Sequence, residues 1–188
     1  HGRQGSPSVA ALSDGGFVVT WYSGYQDGSG YGVYGQRYDQ AGNSAGDEFP
    51  VNTYTDGRQG SPSVAALSDG GFVVTWQSSG QDGSSYGVYG QRYDQAGNSA
   101  GDEFPVNTYT DDSQSSPSVA AISDGGFVVT WQLSGQDGSS YGVYGQRYDQ
   151  AGNSVGDEFQ VNTYTDRSQD SPSVVALSDG GFVVTWQS

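Results

Sequence analysis

One 16-residue segment recurs four times at a fixed spacing and limits the possible folds more than any other feature of the chain. The segment SPSVAALSDGGFVVTW occupies residues 6–21 and returns with few changes at 61–76, 116–131 and 171–186. The intervening residues repeat as well, so the chain consists of 55-residue modules, three complete and a fourth that supplies only its first third. Tandem units of this length indicate a fold in which each unit packs against its neighbours.

Each module contains four segments with the composition of short strands. In the first module they are residues 8–12, 17–21, 31–38 and 48–53, rich in Val, Phe, Tyr and Trp. Ser13-Asp14-Gly15-Gly16 predicts a tight hairpin turn between the first two, and Pro7 is expected at the first residue of its strand. Pro50 interrupts the fourth segment and is replaced by Gln160 in the third module, so this strand is expected at a sheet edge.

The second strand is apolar on both of its faces. Phe17, Val19 and Trp21 share one face, and Val18 and Thr20 share the other. This pattern predicts a sheet that is covered on both sides. Trp21 and its copies are therefore expected in the core.

Four antiparallel strands per module, repeated in tandem, predict an all-β protein of four-stranded blades like those of a β-propeller. The modules are assigned to residues 1–60, 61–115, 116–170 and 171–188. A closed propeller needs at least about four blades, so a ring and an open or filamentous array of stacked sheets both remain compatible with the sequence. The chain begins and ends within a module, which predicts that it is a portion of a longer protein. The incomplete last module predicts self-association or packing against further repeats.

The charge of the chain restricts its partners. It has 21 acidic residues, six arginines and no lysine, for a net charge of -15. Such a polyanion repels nucleic acid, and no apolar run is long enough for membrane insertion. The chain has no cysteine, which excludes disulfides and thiolate metal sites. Calcium is the cofactor that a surface of this kind attracts.

The candidate calcium ligands are oxygen-bearing residues that lie between glycines and recur in each complete module. Hard cations need such oxygen donors, but the spacing matches no EF-hand loop. The same residue types are usual in solvent-facing turns, which is the interpretation that we favour. The candidates are Asp39, Asn43, Asp47, Glu48, Asp94, Asn98, Asp102, Glu103, Asp149, Asn153, Asp157 and Glu158.

A second set of candidates lies in the polar loop after the second strand. Tyrosine rings next to amide and carboxylate groups are typical of a sugar site, and repetition would make weak sites multivalent. Tyrosines on stacked strands also pack against neighbouring sheets, so the packing interpretation stays open. The candidate glycan ligands are Tyr25, Gln26, Asp27, Gln81, Asp82, Gln136 and Asp137.

The near-identity of the modules argues against an enzyme. A catalytic site needs different groups in different roles, whereas this chain repeats the same groups. The only histidine is His1, and there is no lysine or cysteine to activate a nucleophile. Catalysis by carboxylates alone, as in glycoside hydrolysis, is the chemistry that remains open. Arg37, Arg92 and Arg147 lie among acids and tyrosines and are expected to form local ion pairs or to stack on rings.

Three motifs, which recur in each complete module, carry a resemblance to a known repeat family. They are DGGFVVTW at residues 14–21, GVYGQRYD at 32–39 and EFPVNT at 48–53. The chain resembles tandem repeats of very large secreted or surface proteins of bacteria, which often also carry RTX-type calcium repeats. The resemblance implies an extracellular or cell-surface location and a non-enzymatic structural, adhesive or scaffold role. A multivalent lectin-like propeller is the alternative.

Overall fold

The computed structural model describes residues 2–136, 138 and 140–188 and is all-β over this part of the chain. Its strands form three four-stranded antiparallel sheets and one hairpin, which we call blades 1 to 4 in chain order. Blade 1 contains β1 (Gln4–Ala11), β2 (Phe17–Gly24), β3 (Tyr31–Tyr38) and β4 (Phe49–Pro50); blade 2 contains β5 (Gln59–Ala66), β6 (Phe72–Ser79), β7 (Tyr86–Tyr93) and β8 (Phe104–Pro105); blade 3 contains β9 (Gln114–Ala121), β10 (Phe127–Ser134), β11 (Tyr141–Tyr148) and β12 (Ser154–Gln160); blade 4 contains β13 (Asp170–Ala176) and β14 (Phe182–Gln187).

The innermost strand of each blade is longer than the sequence predicted. In blade 1 it begins at Gln4 rather than at residue 8, and it ends before Leu12. A β-bulge between Gly5 and Ser8 removes Pro7 from the ladder, so pairing resumes at Gly5 opposite Tyr22. The prediction that Pro7 is the first strand residue was therefore wrong. For the same reason the assigned boundaries at 61, 116 and 171 fall inside strands that begin at Gln59, Gln114 and Asp170.

The other three strands of blade 1 match the prediction to different degrees. The hairpin is confirmed, although β2 continues three residues beyond Trp21, and the third strand is confirmed over all of Tyr31–Tyr38. The fourth strand is confirmed as an edge, but it covers only Phe49–Pro50 rather than residues 48–53. In blade 3, where Gln160 replaces the proline, the edge strand extends over Ser154–Gln160.

Each blade buries its apolar faces against the next blade. Phe72, Val74 and Trp76 of blade 2 pack into one cluster with Leu12 and Val18 of blade 1. The opposite face of blade 2 joins a cluster with blade 3, and blade 3 in turn packs against the hairpin of blade 4. Trp76 and Trp131 are fully buried, which confirms their expected place in the core, whereas Trp21 is half-buried and Trp186 is exposed.

The four inner strands converge on one axis. Serine–proline pairs from these strands line a common cavity of about 290 Å³: Ser6 and Pro7, Ser61 and Pro62, Ser116 and Pro117, and Ser171 and Pro172. All four serines have positive φ angles, between 47° and 54°. Blades that radiate from a shared axis, each with its inner strand first in the chain, give the molecule a β-propeller-like architecture. No helix long and apolar enough to cross a membrane is found among the described residues.

Candidate functional site

A cavity of about 620 Å³ lies between blades 1 and 2 and contains two carboxylates of blade 1. Asp27 comes from the connection between β2 and β3, and Glu48 immediately precedes β4. The Oδ1 atom of Asp27 accepts a hydrogen bond of 3.0 Å from the Ser29 amide, which fixes the connecting loop. The Oδ2 atom is buried and has no hydrogen-bond partner among the described residues, so its capacity to accept a hydrogen bond is unused.

The two carboxylates both act on one buried phenol. Burial raises the pKa of Tyr34, and the nearby charges of Asp27 and Glu48 raise it further. The same arrangement recurs in blade 2, where burial, and then Asp82 and Glu103, raise the pKa of Tyr89 to about 12. Each site therefore brings together an acid from the polar loop and an acid that precedes the edge strand.

Glu48 differs from its two repeat copies in its hydrogen bonds. The Oε2 atom of Glu103 accepts hydrogen bonds from the Thr53 amide at 2.7 Å and from the Thr53 hydroxyl at 3.0 Å, which connects blade 2 to blade 1. Glu158 makes the same contacts with Thr108. Within the described part of the chain, Glu48 has a hydrogen bond only from the side-chain amide of Gln26. One oxygen of Glu48 is therefore open to the cavity.

Six of the twelve candidate calcium residues, an aspartate and an asparagine in each complete module, hold the turns in which they occur. The Asp39 carboxylate accepts hydrogen bonds from the amide and side chain of Asn43, and these bonds lower the pKa of Asp39. Identical pairs close the later turns, between Asp94 and Asn98 and between Asp149 and Asn153. No group of three or more acidic or histidine side chains that could hold a metal occurs among the residues described here. Calcium binding stays a prediction, and these contacts agree with the turn interpretation.

The candidate glycan residues lie in the polar loops, as expected. Tyr25 is exposed, with a φ of 62°, and Gln26 holds Glu48. In blade 2, the Gln81 side-chain amide donates to Glu103 at 2.6 Å, and Asp82 accepts from the Ser84 amide at 2.9 Å. Gln136 lines a cavity together with Glu158. His1 and Asp137 lie outside the described residues.

Sequence reasoning separated two groups that the structure brings together. It assigned Asp27 to a glycan site and Glu48 to a calcium site, yet both residues line one cavity. The signal was a pair of acids 21 residues apart that recurs in every complete module. By contrast, the expected local ion pairs are confirmed: Arg37 with Asp14 at 3.3 Å, Arg92 with Asp69 at 3.3 Å and Arg147 with Asp124 at 3.1 Å.

No family model and no curated protein matches the chain, but solved structures share its fold. The endo-arabinase from Bacteroides thetaiotaomicron is 15% identical with a TM-score of 0.60, over 100% of this chain and 72% of its own. The α-L-arabinanase of Penicillium chrysogenum is 19% identical (TM-score 0.64), and the GH93 α-L-arabinofuranosidase of Fusarium graminearum is 15% identical (TM-score 0.66). They match 98% and 97% of this chain, which spans 53% and 52% of their lengths.

These comparisons confirm the fold and correct the functional prediction. The chain has a β-propeller-like fold shared with propeller glycoside hydrolases. The predicted non-enzymatic structural or adhesive module, its lectin-like alternative and the expected absence of catalysis are contradicted, because the matched structures are arabinanases and an arabinofuranosidase. The symmetry argument was wrong because identical residues acquire different surroundings, as Glu48 and Glu103 do.

Proposed function

We propose that this chain hydrolyses glycosidic bonds and that Asp27 and Glu48 are its catalytic carboxylates. The observation that carries the proposal is the pair of acids in the cavity of about 620 Å³, where each acid retains an oxygen without a partner among the described residues. Two carboxylates that flank the scissile bond are the usual requirement for this reaction. The names of the fold's solved representatives support arabinose-containing oligosaccharides as the first substrate class to test.

The surroundings of the two acids favour different roles. Asp27 has its free oxygen in the buried part of the site, and its protonated form would donate a proton to the leaving glycosidic oxygen. Glu48 is more exposed and is held by Gln26, so it would remove a proton from water as that water attacks the anomeric carbon. The carbon–oxygen bond to the leaving group breaks while the bond to water forms, and proton exchange with solvent restores both acids.

Release of reducing ends from arabinan and cleavage of arabinobiose test this proposal. Asp27→Asn and Glu48→Gln should each lower kcat by about 100-fold or more, which is the usual contribution of a positioned acid or base. Asp47→Asn is the matched control, because Asp47 is the exposed neighbour of Glu48 and does not line the cavity. Full activity in both site variants, or no cleavage by the folded parent chain of arabinan or a panel of other glycans, would contradict the proposal.

A further inference from the structure

We infer that a second cavity, at the junction of the inner strands of blades 1 and 2, binds the anionic group of an acidic sugar. The cavity has a volume of about 250 Å³, and two of the chain's six arginines, Arg3 and Arg58, line it. None of its described lining residues is acidic, although the whole chain carries a net charge of -15. The inference rests on the proposed function only in taking a sugar as the ligand.

The two arginines differ from those that the fold uses for ion pairs. Arg37, Arg92 and Arg147 each contact an aspartate of their own blade. Within the described residues, Arg3 and Arg58 have no carboxylate within ion-pair distance. The Arg58 guanidinium instead lies 5.4 Å from the centre of the Tyr31 ring, an arrangement that positions the cation without neutralising it. Both arginines are exposed, so these two cations beside one cavity can bind an anion from outside the chain.

The cavity is formed by residues at which the modules differ. Serines, Ser113 and Ser168, replace the two arginines in the later modules. Tyr22 is replaced by glutamine at the matching positions, including Gln77 and Gln132. Only the junction of blades 1 and 2 combines two arginines with this tyrosine. The site is therefore unique within the described chain, despite the repeat.

The replacement of glutamine by Tyr22 also leaves a backbone donor without its usual partner. The Gln77 side-chain oxygen accepts a hydrogen bond of 3.0 Å from the Ser116 amide, and Gln132 accepts one of 2.9 Å from Ser171. Ser61 is the residue equivalent to Ser116 and Ser171, and it lines the cavity. At the position of the glutamine, Tyr22 has no amide oxygen that could accept a hydrogen bond from the Ser61 amide. The Ser61 amide thus adds a third donor for an oxyanion beside the two guanidinium groups.

The cavity also offers an acceptor and aromatic rings. The side-chain oxygen of Gln59 is fully buried and has no partner among the described residues. Its copies in the later blades, Gln114 and Gln169, accept hydrogen bonds from asparagines at 3.3 and 3.2 Å. The Tyr22 and Tyr31 rings meet edge to face with centroids 5.2 Å apart. An acceptor for a hydroxyl and two rings for an apolar sugar face complement the anion-binding donors.

These groups define the chemistry of the ligand. The three donors that line the cavity select a carboxylate or a sulfate, and the Gln59 oxygen selects a hydroxyl on the same molecule. The volume is just below the lower limit of about 300 Å³ for sites that hold drug-sized ligands, which corresponds to one sugar unit. A carboxylate-bearing or sulfate-bearing monosaccharide unit fits both conditions.

Isothermal titration calorimetry with galacturonate, galactose 6-sulfate and neutral galactose tests the inference. The acidic sugars should bind at least about tenfold more tightly than galactose, which corresponds to one charge-assisted contact. Comparison of the two acidic sugars distinguishes a carboxylate from a sulfate. Arg3→Ser and Arg58→Ser should each weaken binding about tenfold, and the fold accommodates serine at these positions in the later modules.

Two further variants separate binding from general changes in charge or stability. Tyr22→Gln supplies the amide oxygen that Gln77 gives to Ser116, so it should weaken acidic-sugar binding at least about tenfold without loss of stability. Arg167→Gly removes one positive charge elsewhere, at an exposed position where the first two modules have Gly2 and Gly57, and should leave affinity unchanged.

Binding of an acidic sugar at this cavity can be measured independently of hydrolysis. Asp27→Asn and Glu48→Gln should each lower kcat by about 100-fold or more and leave binding of galacturonate or galactose 6-sulfate unchanged, because neither residue lines this cavity. Equal affinity for acidic and neutral sugars, absence of binding to the folded parent chain, or binding that survives both arginine variants would overturn the inference. Failure of hydrolysis alone would affect only the proposed function.

Discussion

Blades 2 and 4 have nearly the same inner hairpin but bury it to very different extents. Residues 72–76 of blade 2 are all fully buried, whereas the matching residues 182–186 of blade 4 are half-buried or exposed. Trp76 is 0% exposed, and Trp186 is 39% exposed. Since the local sequence is the same, the difference arises from the packing of blade 2 between blades 1 and 3. Stability in this fold is therefore a property of the junctions between blades rather than of each blade alone.

The largest expected effect of this difference comes from removing the same ring in both blades. Trp76→Ala should lower the free energy of unfolding by about 3–5 kcal/mol, because it leaves a cavity in a closed junction. Trp186→Ala should cost less than about 1 kcal/mol, since its ring is already partly in water. Urea denaturation followed by tyrosine fluorescence measures both. Equal losses in the two variants would show that blade 4 is covered as completely as blade 2.

The tyrosines at the junctions predict a loss of stability in alkali. Tyr93 and Tyr148 donate hydrogen bonds to carbonyls of the preceding blade, at Val51 (3.4 Å) and Val106 (3.1 Å). Burial raises the pKa of each phenol far above its usual value of 10.0. The stabilisation by these two phenols is complete below pH 10. It is lost as the pH rises above 10, because there the two phenols ionise in the unfolded chain but not in the folded chain. The slope should reach about 1.4 kcal/mol per pH unit for each tyrosine.

Denaturation at several pH values above 10 measures this effect. Tyr93→Phe and Tyr148→Phe should each reduce the slope of the free energy of unfolding against pH by the contribution of one titrating proton. Phenylalanine keeps the ring and removes the titrating group. Since the two tyrosines occupy equivalent junctions, their single variants should behave alike. An unchanged slope in the double variant would mean that other groups cause the alkaline unfolding.

A smaller effect is expected at the glutamates that precede the edge strands. Glu103→Ala should cost about 1–2 kcal/mol, because it removes the acceptor for the Thr53 amide and hydroxyl between blades 1 and 2. Glu48→Ala should cost no more than about 0.5 kcal/mol, since Glu48 makes no such contact within the described residues. Thermal denaturation of both variants measures the difference between these two losses of stability. A large loss in Glu48→Ala would assign Glu48 a structural role.

The sequence predicted the blades well because their signals are local. The turn at residues 13–16, the alternation in residues 17–21 and the third strand follow from neighbouring residues, and the structure confirms them. The bulge at Pro7 and the two-residue length of β4 were missed, because they depend on which N–H and C=O groups the adjacent strand presents. Alternation in residue type carries no information about these partners.

The candidate site was harder to predict because it is made by contacts between distant residues. Gln26 meets Glu48 across 22 residues, and Glu103 meets Thr53 across 50. No short motif contains such pairs, so Asp27 and Glu48 were assigned to separate sites. Arg3 and Arg58 could have been found from the modules themselves, since serine replaces both in the later copies. Their position beside one cavity required the packing of blade 1 against blade 2.

The smallest expected effect concerns the arginines on the third strands. Arg92 pairs with Asp69 at 3.3 Å and also donates to the Ala151 carbonyl of blade 3 at 2.9 Å, with a side chain that is 14% exposed. Arg147 makes the equivalent pair with Asp124, but its side chain is 41% exposed. Arg92→Met should therefore cost about 1 kcal/mol and Arg147→Met less than about 0.5 kcal/mol, because exposed ion pairs contribute little. Urea titrations at low and high salt separate the contribution of the ion pair from that of the hydrogen bond to Ala151. Added salt should weaken the ion pairs in the parent chain and leave the hydrogen bond to Ala151 unchanged. If the two variants lose equal stability, the contact across the junction contributes nothing beyond the local ion pair.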